Sequence, residues 1–161
     1  MSEQIELIVQ LTQQAVKGVF QNMVSMEVSD EASSPLAQDP QGEIMGSVGF
    51  IGVATGVIYV HTRISFARVI TSRMLGIPEP EVEPGDMLSD AIGELSNMVV
   101  GNVKSKLCDA GFPCTLSIPS VVRGQGLKVQ GASQATRKII GFGNGQNHLL
   151  VEVLLKNTNG S

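Results

Sequence analysis

The stretch DMLSDAIGELSNMVVGNVKSKL, residues 86–107, decides how the rest of the chain is read. At about 100° per residue, Leu88, Ile92, Leu95, Val99 and Val103 fall on one face. Asp90, Glu94, Asn97, Gly101, Lys104 and Cys108 fall almost opposite. This pattern predicts an amphipathic helix of about 24 residues, with Asp86 or Ser89 as N-cap and Gly111 as the stop. Glu94 and Asn97, three apart, are neighbours on an exposed ridge. The polar side is an expensive one: Gly93 and Gly101 each cost about 1 kcal/mol relative to Ala in a helix interior. Asn97 and Asn102 add to that, because a short amide competes with the helical backbone. Either a helix crossing within the fold explains the glycines, or something outside approaches this face closely.

Around that helix, the totals describe a single domain over 1–161. Of 161 residues 42% are hydrophobic and 16% charged, and the mean hydropathy is +0.17. That is ample for a packed core. The net charge of −4, with eleven scattered Lys and Arg, provides no basic stripe for phosphates, so nucleic acid is excluded as a partner. The N-terminus MSEQIELIVQ lacks a cationic region ahead of an apolar run, and no apolar run approaches membrane-spanning length. Soluble, cytoplasmic residence without a membrane partner is the expectation. Cys108 and Cys114 are then expected as reduced, partly buried thiols.

Residues 3–24 place Ile5, Ile8, Ala15, Val19 and Met23 at helical intervals, with Leu11, Val16 and Phe20 widening the stripe. SDEASSPLAQDPQ is small, polar and proline-bearing, which predicts a surface loop over 29–42. GEIMGSVGFIG and GVIYVHT, divided by VAT, predict a hairpin. ISFARVITSRMLG predicts a short helix with Gly76 as C-cap. IPEPEVEPG is a rigid connector. After the long helix, CTLSIPSVV, LKVQGAS, RKIIGFG and HLLVEVLLK predict strands of a meander, and 157–161 a frayed tail. The fold class expected is α/β of the α+β type, long helices packed on a largely antiparallel sheet.

GVFQNMV at 18–24 and GELSNMV at 93–99 agree at four of seven positions at an offset of 75. Both lie on predicted helices followed by strands, which suggests duplicated halves. Val19 stands in the first copy where Glu94 stands in the second.

The segment from Asp90 to Lys104 resembles the signature helix of the CheX, CheC and FliY chemotaxis phosphatases. In that pattern Asp or Ser is followed after three residues by Glu, after two more by Asn, and later by Pro. Asp90, Glu94 and Asn97 match directly; Pro119 is the candidate for the later position, one residue short of the usual spacing. The resemblance implies a CheC/CheX-like fold with pseudo-duplicated halves and a phosphatase acting on the aspartyl phosphate of a CheY-type receiver domain. The receiver would bring its own Mg²⁺, so this chain would bind no metal or other cofactor. Asn97 would position the attacking water and Glu94 would pair with the receiver's active-site Lys, making these the catalytic pair. Asp90, Gly93 and Gly101 would touch the partner. Because the first copy offers Asn22 but no Glu, only the second would be active, which is most similar to CheX and implies a homodimer with sheets meeting edge to edge. A non-catalytic receiver-binding module using the same face is the alternative, with a flagellar-switch component ranked behind it.

Other constellations carry less. His61 and His148 are expected as ordinary strand histidines without a ligand cluster. GFGNGQN precedes a strand pattern and lacks the Lys of a phosphate-binding loop, so it is a hairpin turn. Ser96 and Ser105 are expected on the helix surface, and Met98 mainly as core filler.

Overall fold

The computed structural model describes residues 2–31, 41–131 and 134–157. Helix α1 (Ser2–Val19) runs directly into a π turn (Phe20–Val24). A two-residue strand β1 (Ser29–Asp30) follows, then the hairpin β2 (Gly42–Gly52) and β3 (Gly56–Thr62). Next come α2 (Ile64–Leu75) and a 3₁₀ turn (Glu79–Glu81), then α3 (Asp86–Asp109), the long helix. The chain ends with β4 (Cys114–Leu116), β5 (Ser120–Leu127), β6 (Ala135–Asn144) and β7 (Asn147–Lys156).

These strands form one antiparallel sheet in the order β1-β6-β7-β3-β2, with β4 and β5 sharing the far side of β2. The period-two alternation of β2, β3 and β7 decides which face meets the helices. Ile44, Val48 and Phe50 of β2, Ile58 and Val60 of β3, and Val151 and Val153 of β7 share a core with Leu88, Ile92, Leu95 and Val99 of α3. Phe20 and Phe66 stack within it, centroids 6.0 Å apart. The opposite face carries a smaller cluster of Met45, Val129 and Leu154, flanked by Tyr59 and Leu127.

Several local expectations hold. Gly76 closes α2 at φ +69° with its N–H donated to the Ser72 carbonyl. Gly145, at φ +74°, makes the two-residue turn between β6 and β7, where only a residue tolerating positive φ fits without strain. The proline-rich connector contributes the 3₁₀ turn and one buried side chain, Val82.

Others are corrected. CTLSIPSVV is not one strand: β4 pairs with β2 at Phe50–Gly52 and β5 pairs with it at Gly42–Ser47. The break at 117–119 is held by Ser117, whose N–H donates to the Gly49 carbonyl and whose Oγ accepts from the Gly49 N–H at 2.8 Å. β5 joins β2 and not β6, so the last four runs are no meander, and among the described residues of LKVQGAS only Leu127 belongs to a strand. Ser29 and Asp30, expected in a loop, pair with Gly143 and Phe142 of β6. The expected loop over 32–40 and the tail 158–161 lie outside the described residues, whereas Asn157 is tied down, its N–H donated to the Gln134 carbonyl. Among the described residues, no helix is long and apolar enough to cross a membrane.

Candidate active site

Helix α3 is anchored by ten buried residues, among them Leu88, Ile92, Leu95, Val99, Val103 and Leu107. That stripe wedges between the sheet and the other helices and leaves the opposite face outward. Asp90, Glu94 and Asn97 are exposed on it and Gly101 is half-buried. Among the described residues, neither Glu94 nor Asn97 makes a hydrogen bond or ion pair within the chain. Both side chains therefore offer their full bonding capacity to a partner, held one turn apart on a rigid helix: a carboxylate that accepts, and an amide that accepts through oxygen and donates through nitrogen. Asp90 sits nearer the helix N-terminus, where a negative charge is favoured.

The two glycines separate. Gly93 is buried, and a Cβ there would lie 3.3 Å from Cγ2 of Val121 in β5. A Cβ would therefore press on β5 where α3 passes beneath it, so packing within the fold accounts for a small residue at this position. At Gly101 a Cβ would meet nothing within 4 Å, so internal packing does not call for glycine there. Ser96 also departs from expectation. It is fully buried, its hydroxyl donating to the Ile92 carbonyl at 2.7 Å, and it sits against Gly46 of β2, where any side chain would collide with its Oγ. The glycine in the strand and the small serine in the helix together set how closely α3 lies on the sheet.

Met98 is half-buried, packed against the core on one side and lining a groove between α1 and α3 on the other. Met23 lines the same groove at 46% exposure, although its sequence spacing places it with the core stripe. The π turn is the reason: inserting one extra residue per turn rotates the end of the helix, so Val24 is buried and Met23 turns outward. The turn stops at Ser25, at φ +56°, whose carbonyl accepts from Arg73 at 2.8 Å. Cys108 is exposed and Cys114 buried; both are free thiols. Burial pushes the Cys114 thiol up, helped by Cys108 and opposed by Lys104.

A second polar constellation lies on the sheet face away from the helices. Glu152 is fully buried in β7, 2.7 Å from Nε2 of the fully buried His61, and accepts from Nε of Arg137 at 2.7 Å. His148 lies 2.7 Å from Glu31 at the β1 end of the sheet. Each histidine has a carboxylate partner, which no local pattern indicates; the one signal in the sequence was a lone Glu inside the otherwise apolar run HLLVEVLLK. Among the described residues, no group of three or more His, Cys, Asp or Glu is arranged to hold a metal ion.

A helix anchored on an antiparallel sheet and presenting an outward Glu–Asn ridge matches a known class. The family profile described as chemotaxis phosphatase CheX matches residues 44–143. That span includes the ridge and most of the sheet; the chain belongs to this family of chemotaxis phosphatases. No curated protein matches. Among solved structures, chemotaxis protein CheX from Vibrio vulnificus is 24% identical, with 92% of this chain and 96% of that one covered and a TM-score of 0.80. A chemotactic CheC-like protein from Shewanella oneidensis is 24% identical over 93% and 98%, with a TM-score of 0.78. CheX from Borrelia burgdorferi, in a complex with CheY, BeF3 and Mg²⁺, is 17% identical over 92% and 97%, with a TM-score of 0.76. At these identities the likeness concerns the fold.

Proposed function

We propose that the chain hydrolyses the aspartyl phosphate of a phosphorylated CheY-type response regulator through the Glu94–Asn97 ridge of α3. The observation that carries the reading is the combination of an anchored helix with two exposed side chains that have no partner among the described residues. The reaction is an in-line displacement. Water oxygen bonds to phosphorus as the bond from phosphorus to the aspartyl oxygen breaks; inorganic phosphate leaves, the carboxylate is restored, and the water's proton passes to phosphate or solvent. Asn97 orients that water by accepting one of its hydrogens. Glu94 pairs with a Lys on the receiver and so sets the register in which Asn97 enters. Mg²⁺ belongs to the receiver, and this chain contributes no metal. Positioning of this kind lowers the barrier by prepaying entropy, so the geometry of the ridge matters more than its acidity.

The chain works as one domain over 1–161, in the cytoplasm, with Asp90 and Gly101 contacting the receiver. It pairs with a second copy through a sheet edge. Among the described residues β5 bonds only to β2, which leaves its outer side open there, and Val122 on it and Ile118 beside it are 54% and 85% exposed. An open, apolar edge of this kind is what strand-to-strand association covers.

Phosphate release from a Mg²⁺-loaded phosphorylated receiver tests the reading, with wild type beside Asn97→Ala. Acceleration by wild type and its loss in the variant are expected. Tight binding of the receiver without any acceleration would instead make the chain a non-catalytic docking module.

A further inference from the structure

The groove between α1 and α3 has a volume of about 640 Å³. Gly18, Asn22 and Met23 form part of one wall, Met98 and Gly101 part of the other. A Cβ at either glycine would meet nothing within 4 Å. Both occupy interior helical positions, where glycine is disfavoured by about 1 kcal/mol against alanine, so the fold bears a cost it does not need. What the glycines do is keep the groove open.

Its walls come from the two repeated segments. Asn22 and Met23 are the first-copy counterparts of Asn97 and Met98. The first copy cannot be a second reaction centre of the same kind, because Val19 replaces Glu and is itself buried. Yet the π turn directs Asn22 and Met23 outward into the groove. On the other wall, Met98 is the residue next to Asn97, and Gly101 stands one turn further along the same ridge. The groove is therefore continuous with the face assigned to the receiver.

We infer that this groove receives the part of the response regulator that flanks its phosphorylation pocket, an apolar side chain seated between Met23 and Met98 while the Asn22 amide bonds its backbone. The degenerate copy of the motif thus survives as a docking half, and Asn22 is a positioning residue for the receiver. This rests on the reading of Asn97 given above.

The test measures binding of a receiver loaded with Mg²⁺ and beryllofluoride to the full chain by fluorescence anisotropy, alongside phosphate release and thermal melting. Gly101→Leu and Gly18→Leu fill the groove; they are expected to melt no lower than wild type yet weaken binding about tenfold, the scale of losing a buried contact at an interface centre. Asn22→Ala, an exposed substitution that cannot unfold the helix, is expected to weaken binding severalfold and raise KM, whereas Asn97→Ala acts on kcat. If folded Gly101→Leu and Asn22→Ala bind the receiver like wild type while Asn97→Ala loses turnover, the groove assignment falls and the active-site reading stands. If the groove variants change the oligomeric state and leave receiver binding alone, the occupant is a second copy and the assignment is overturned. If wild type neither binds nor dephosphorylates any receiver, both readings fall together.

Discussion

Glu94 and Glu152 are the same residue type in opposite circumstances. Glu152 is sealed within the sheet and has both oxygens engaged, by His61 and by Arg137. Glu94 is exposed on α3 with no partner among the described residues. A buried carboxylate without partners would destabilise the fold, so Glu152 and its neighbours form a structural unit. An exposed carboxylate placed one turn from an equally unpartnered Asn, on a helix that carries helix-weakening residues on the same side, contributes little to stability and is free to act on another molecule. Partner accounting, more than residue type, separates the scaffold from the working surface here.

The comparison breaks most readily at Glu152. Glu152→Ala should lower unfolding free energy by about 3–5 kcal/mol, because His61 is left in a dry site without its partner; a loss below about 1 kcal/mol in urea melts would mean that the cluster is not structural. Asn97→Ala should do the reverse, leaving the melt unchanged and reducing turnover by about a hundredfold or more, the usual scale for losing a positioned reactant. Glu94→Ala should chiefly raise KM, and a normal KM with reduced kcat would move Glu94 from anchoring to chemistry.

The comparison is sharpened on α3 itself, whose buried side meets Gly46. Gly46→Ala should cost about 1–3 kcal/mol by driving a methyl into Ser96, and the double variant with Ser96→Ala should recover part of it, a coupling that a double-mutant cycle reads directly. The smallest effect concerns the two thiols. Cys114 has its pKa raised in the folded protein, first by burial, so its contribution to stability is present below the ordinary thiol range and lost as pH climbs through that range toward the folded value. The protein should weaken modestly in alkali, and Cys114→Ala should flatten that part of the pH profile. Cys108, exposed, should react with a thiol reagent well before Cys114, and equal rates in the native protein would contradict their separation.

Much of the site was legible because it is written along one helix. Periodicity separates Leu88, Ile92, Leu95, Val99 and Val103 from Glu94 and Asn97, and every one of those falls on the side expected. Ser96 was misread although it lies only about 20° beyond the apolar arc, and Gly93 lies about 20° beyond the polar one; only knowing that Gly46 and β5 pass overhead reveals that the space at both is taken. Met23 was misread because a π turn shifts register without an unambiguous sequence mark.

The sequence by itself determined the elements whose information is local: three amphipathic helices, the hairpin of β2 and β3, the glycine-closed ends, and the Glu–Asn spacing that a helix converts into a ridge. The tertiary structure alone decided that β4 and β5 divide one side of β2, that Ser29 and Asp30 join the far edge, that Glu152 meets His61 and Arg137, and that the two repeated segments enclose one groove. Those are pairings between residues distant along the chain, selected by the shared burial of whole faces, and no window of sequence contains both partners.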